Sequence, residues 1–140
     1  MMNGTLIAAF VCYFSAALFS AIFGVVYLTR SKFMPYHEDA LGLSWSQLDA
    51  RMQTLLLAFM RISGGGFLAA AVGIMILLLI PFRAGEVWSK YAIPAVGLTS
   101  ALPALYATIL MRRRTPAASP VWAGVLNVAL LVLGFVLSLL

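Results

Sequence analysis

The sequence predicts an all-α protein, a bundle of four transmembrane helices with both termini on the non-cytoplasmic side. Three observations lead there. Of 140 residues, 64% are hydrophobic and only 9% are charged, against roughly 25% charged and about 45–50% apolar in a soluble domain. Mean hydropathy is +1.04, an apolar excess that a chain this short cannot hide in an aqueous core. Lipid must be the solvent. Second, the apolar residues fall into four runs, each near the ~20 residues that cross a bilayer. Third, Lys and Arg gather on one side of those runs.

The first span, about residues 6–28, contains no charge, and Arg30 and Lys32 follow it. No Lys or Arg precedes it and it far exceeds a signal-peptide core, so a membrane anchor is expected rather than a cleaved leader. Pro35 stops any continuation of that helix. Ser44 and Gln47 have capping-box spacing, which lets the second helix begin ahead of the membrane. The second span, about 55–82, is interrupted only by Arg61, and Pro81 and Gly85 close it. The third, about 87–111, carries Pro94 and Pro103, which should bend it and free backbone carbonyls. Pro116 and Pro120 bracket the next loop, and the fourth span covers 121–140.

The loops at about 29–54 and 112–120 hold Arg30, Lys32, Arg51, Arg112, Arg113 and Arg114, while the other side holds Arg83 and Lys90. This bias assigns both basic loops to the cytoplasm. Trp88 and Tyr91 on one side, and Tyr27 and Tyr36 on the other, fall where interfacial aromatic anchors belong. Trp122 fits that role less specifically. The two helix–basic loop–helix units resemble each other loosely, as shared loop physics would also produce.

Small residues at four-residue spacing let helices approach in lipid. Ala16, Ser20 and Gly24 form such a stripe on the first span, and Gly65, Ala69 and Gly73 form one on the second. They point to close packing of these two spans, or to an oligomer. Arg61 continues the second stripe. A cation at the bilayer centre costs about 2.5–3.5 kcal/mol, but the second span is longer than a bilayer requires. Arg61 is therefore expected to snorkel to the cytoplasmic interface. The alternative turns it into the bundle, to meet a phosphate, a carboxylate or a quinone-like oxygen. Gly64, Gly65 and Gly66 follow it and imply close packing, a kink or room for a ligand.

Three further features could carry chemistry. Asn127 is the only carboxamide deep in a span and could hydrogen-bond another helix, with Ser20, Thr99, Ser100 and Tyr106 as weaker candidates. His37, beside Glu38 and Asp39, could titrate near neutrality or meet a cation, although neighbours in a solvated loop do not converge on one ion. No metal site is expected. Cys12, the only cysteine, excludes an intrachain disulfide and reads as a small apolar helix residue.

The exclusions are sharper. One histidine cannot supply a bis-histidine haem or a di-iron site. No carboxylate lies within a span, which argues against proton coupling through an intramembrane Glu. Hydrolase, phosphate-loop and zinc signatures are absent from the sequence, so no cofactor is expected. The net charge of +5 lies beside apolar runs, where membrane lipid accounts for it, and no nucleic-acid partner is expected.

In span number, length and short basic loops, the chain resembles the small four-span proteins of bacterial inner membranes grouped as DoxX-like. That likeness is of layout; it carries no functional residue across and implies a multi-pass protein of the inner (plasma) membrane. The leading expectation is a non-enzymatic accessory or structural subunit that packs with itself or with a larger membrane partner. A second is a small transporter or lipid/quinone-binding protein with Arg61 and Asn127 lining an inter-helix cavity. A third is a membrane enzyme using His37, Glu38 and Asp39.

Overall fold

The computed structural model describes residues 3–140, and among them helices account for every regular element. Four helices are long and apolar enough to cross a membrane. In order, α1 is Gly4–Thr29, α2 Pro35–Leu41, α3 Ala50–Leu77, α4 Ser89–Arg114 and α5 Val121–Leu139. The long helices pack in a ring, α1 on α3, α3 on α4, α4 on α5 and α5 on α1. Their outer faces carry exposed Leu18, Ile62, Val125 and Leu133, as a solvent of acyl chains requires.

Local chemistry sets the helix ends. The Asn3 carboxamide accepts from the Leu6 N–H and opens α1. Pro35 occupies the first turn of α2, where its missing N–H costs nothing, and Gly42 closes that helix at φ 66°. The Pro35–Asp39 stretch, expected as an extended loop, is thus a helical turn. Gln47 Oε1 does accept from the Ser44 N–H, but this pairing caps a separate 3-10 turn, Trp45–Gln47. The long helix starts afresh at Ala50, where Asp49 accepts from the N–H groups of Arg51 and Met52.

Pro81 does not end α3 as a simple breaker. The helix widens into a π turn over Leu78–Phe82 that accommodates the ring, and the chain reverses through Gly85 at φ 80°. Helix and π turn together run 33 residues, about 50 Å at 1.5 Å per residue. That exceeds the roughly 30 Å hydrocarbon core, so the first turns of α3 stand clear of it. α4 runs unbroken through Pro94 and Pro103. The Lys90 carbonyl, which Pro94 cannot serve, lies 3.5 Å from the Tyr13 hydroxyl of α1.

Packing is uneven along the bundle. At the end bearing Arg83, Tyr13, Ile74, Leu78, Ile93 and Leu131 are fully buried. Tyr13 meets Phe82 edge to face at 5.9 Å, and the Gly134 backbone lies against the Tyr13 ring. α1 and α3 touch backbone to backbone: a Cβ on Gly64 would stand 2.8 Å from the Gly24 carbonyl oxygen, and one on Gly24 would stand 3.0 Å from that of Gly64. No side chain fits there. Gly65 has open space around it, Ala69 is exposed, and Gly73 looks toward Val96 of α4. The α1 stripe of Ala16, Ser20 and Gly24 is buried throughout.

This register makes a contrast between adjacent glycines. Gly64→Leu should lower the unfolding temperature in detergent by several degrees or abolish expression, while Gly65→Leu should leave it unchanged within about 2 °C. Thermal unfolding of the two purified variants checks this.

Candidate functional site

Toward the opposite end, where the Arg and Lys residues gather, the same ring of helices fails to close. A cavity of about 710 Å³ lies between α1, α3, α4 and α5, with α2 across its end, within the size range of small-molecule sites. Phe19, Phe23 and Tyr27 of α1 and Phe59 and Phe67 of α3 supply its aromatic walls, and Pro103, Ala104 and Ala107 of α4 supply a smooth one. None of its lining residues is Asp, Glu, Lys or Arg. It is an apolar chamber with isolated polar groups.

The deepest polar pair is Asn127 of α5 and Ser20 of α1. Asn127 Nδ2 donates to Ser20 Oγ at 3.3 Å, and both residues are buried. Ser20 lies nine residues before the end of α1, about 13 Å in by helical rise, which is close to mid-membrane. Asn127 Oδ1 has no hydrogen-bond partner within the protein. An unpaired buried acceptor costs roughly 1–3 kcal/mol, and this one belongs to a residue lining the chamber. Nearby, Pro103 cannot donate to the Thr99 carbonyl, so a second acceptor lacks its helical partner.

The cavity's other end is held by α2. The hydroxyls of Tyr27 and Tyr36 form a hydrogen bond that ties α2 to α1. Tyr27 also meets Phe67 edge to face at 6.0 Å. Burial and the neighbouring Tyr27 push the Tyr36 phenol well above its ordinary pKa and hold it protonated. His37 lines the chamber, and its Nδ1 accepts from the Met34 N–H at 3.3 Å. Burial lowers the His37 pKa below its ordinary value.

The structure separates residues that the sequence grouped. Arg61 does not line the cavity. Its guanidinium reaches the carbonyls of Leu28 and Arg30 and so covers the C-terminus of α1, a favourable place for a cation. From Arg61 to Phe82 the helix rises about 32 Å, close to the roughly 30 Å thickness of a hydrocarbon core. Glu38 Oε1 accepts from the Trp45 N–H and Asp39 is exposed, so the three residues 37–39 do not converge. Among the described residues, no three His, Cys, Asp or Glu side chains come together as a metal site.

Asn127 and Ser20, weighed separately from the sequence, are brought into one pair. Tyr27 and Tyr36, expected as interfacial aromatics, also close one end of the chamber. The aromatic wall of α1 was missed, although its signal was present: Phe19, Phe23 and Tyr27 recur every four residues beside the small-residue stripe. The class defined is a four-span helical bundle with a half-enclosed apolar chamber. No protein-family model matches the chain, and neither a curated protein nor a solved structure shows significant similarity to it.

The His37 shift gives a pH dependence. A histidine whose folded pKa is depressed contributes stability that is present above its unfolded value near 6.5 and is lost as pH falls through the folded pKa. Protonation also removes the acceptor that Met34 uses. Trp45, packed edge to face on Phe33 at 4.9 Å, should report α2 loosening by a fluorescence change as pH falls below 6.5. His37→Gln should abolish the transition.

Proposed function

We propose that this chain is an integral membrane protein that binds a lipid-like amphipathic small molecule in the chamber between its four long helices. The observation supporting this is the chamber itself, about 710 Å³ of chiefly apolar space ending on a buried polar pair. A bundle serving only as a spacer gains nothing from a void that forfeits packing contacts. We assign the basic loops to the cytoplasm of a bacterial inner membrane, from the Lys and Arg bias, and both termini to the outer side. α2 then lies at the cytoplasmic interface, where its movement would admit a ligand. Binding, with or without translocation, is the function; no residue in the chamber is arranged as a nucleophile with its base.

Ala104 lies on the smooth wall, so Ala104→Trp should fill the chamber without touching the α1–α3 contact. Purification in native lipid followed by native mass spectrometry should find a lipid-sized adduct on the natural protein, reduced at least fivefold on Ala104→Trp. An unchanged adduct, or none on either protein, would count against the reading. The orientation has its own test. A C-terminal GFP fusion should stay dark, and bright fluorescence would reverse the assignment.

An accessory role draws on a different surface. Gly65 has open space around it and Ala69 is exposed, leaving α3 a small-residue face suited to another transmembrane helix, from a second copy or a larger partner. Bulk at that face, as in Ala69→Leu, should then shift the size of the complex on native gels while leaving the lipid adduct intact.

A further inference from the structure

We infer that the chamber selects an uncharged ligand whose head group donates a hydrogen bond, a phenol or an alcohol on an apolar tail, and that Asn127 Oδ1 receives it. This rests on the binding function proposed above. The residue is 8% exposed, and its carboxamide oxygen is buried without a partner while its nitrogen is engaged by Ser20. A helical serine or threonine commonly returns its own proton to a carbonyl four residues back, as Thr29, Thr54 and Thr99 do here. The Ser20 hydroxyl oxygen accepts from Asn127 Nδ2, which sets the amide nitrogen toward Ser20 and leaves the oxygen without a partner.

The other polar groups of the chamber reinforce the same preference. Thr99 and Thr108 spend their protons on the carbonyls of Ala95 and Leu105. Tyr27 and Tyr36 are occupied with each other. The Thr99 carbonyl lacks its helical donor because Pro103 has no N–H. The chamber's acceptors left without a protein donor are thus Asn127 Oδ1 and the Thr99 carbonyl, while the Ser63 and Ser100 hydroxyls, which also line it, can either donate or accept. A cationic donor would need a carboxylate in a space this apolar, and the lining contains none. A neutral hydroxyl satisfies both conditions, and sites that hydrogen-bond a substrate hydroxyl discriminate strongly against analogues without one.

Two probe pairs distinguish a quinol source from a lipid-alcohol source. The first is decylhydroquinone against decylbenzoquinone, kept anaerobic; the second is dioctanoylglycerol against dioctanoylpropanediol, which lacks the hydroxyl. Equilibrium binding to the full chain in lipid nanodiscs is measured by scintillation proximity. In at least one pair the donor should bind tenfold or more tightly than its partner, and the ratio should fall to about one in Asn127→Leu. Should that variant fail to fold, Asn127→Asp, whose protonated carboxyl keeps both an acceptor and a donor for Ser20, should retain the preference. Equal binding within both pairs overturns this inference and leaves the chamber a lipid site. Preference that persists in Asn127→Leu overturns the assignment to Asn127. Binding of none of the four overturns the binding function as well.

Discussion

The contact between Gly24 and Gly64 is the constraint from which the rest of the bundle follows. In lipid, water supplies no drive for helices to associate, so the pair depends on backbones approaching closely enough for dispersion and weak polar contacts. A Cβ on either glycine would collide with the other's carbonyl oxygen. Once α1 and α3 are locked there, the rotation of α3 is fixed. Gly64 faces α1, Ser63 and Gly66 face the chamber, and Gly65 faces outward. Arg61, one turn earlier, is thereby delivered to the end of α1, where the open carbonyls of Leu28 and Arg30 receive it.

The same lock explains why one half of the protein is packed and the other hollow. α3 and α4 are joined by the short reversal after the π turn, and bulky Ile74, Leu78, Ile93 and Leu131 fill the space near that hairpin. A Cβ on Gly97 would overlap Leu131, so α4 and α5 are also in intimate contact there. Farther along, α4 offers Ala101, Ala104 and Ala107 to the interior, side chains too small to bridge the gap. α2 and its Tyr36–Tyr27 hydrogen bond cover the end of the gap rather than fill it. The result is an apolar volume bounded by the four long helices and α2.

Much of the layout was legible in the sequence, because it depends on length and charge alone. Four apolar runs became four long helices, and the excess length before Arg61 became turns of α3 beyond the end of α1. Finer features depended on rotation. The small-residue stripe of α1 could be read directly, but three adjacent glycines in α3 offered three possible faces, and the one that docks is Gly64. Pro35 could be read either as the end of one helix or as the first turn of another. Asn127 and Ser20 lie 107 residues apart, and no local pattern pairs them. A cavity, finally, is a property of what neighbours leave unfilled, which no single helix encodes.

Disulfide trapping of the α1–α3 register tests this arrangement most directly. In a Cys12→Ala background, cysteines replace Tyr27 and Phe67, whose rings meet across the α1–α3 seam with centroids 6.0 Å apart, leaving both glycines in place; a control pair replaces Tyr27 and Ala69. Mild oxidation in native membranes should cross-link the first pair nearly completely within a single chain and leave the control reduced. Cross-linking of the control pair in preference to the first would mean that α3 presents a different face to α1, and the chamber as described would not exist.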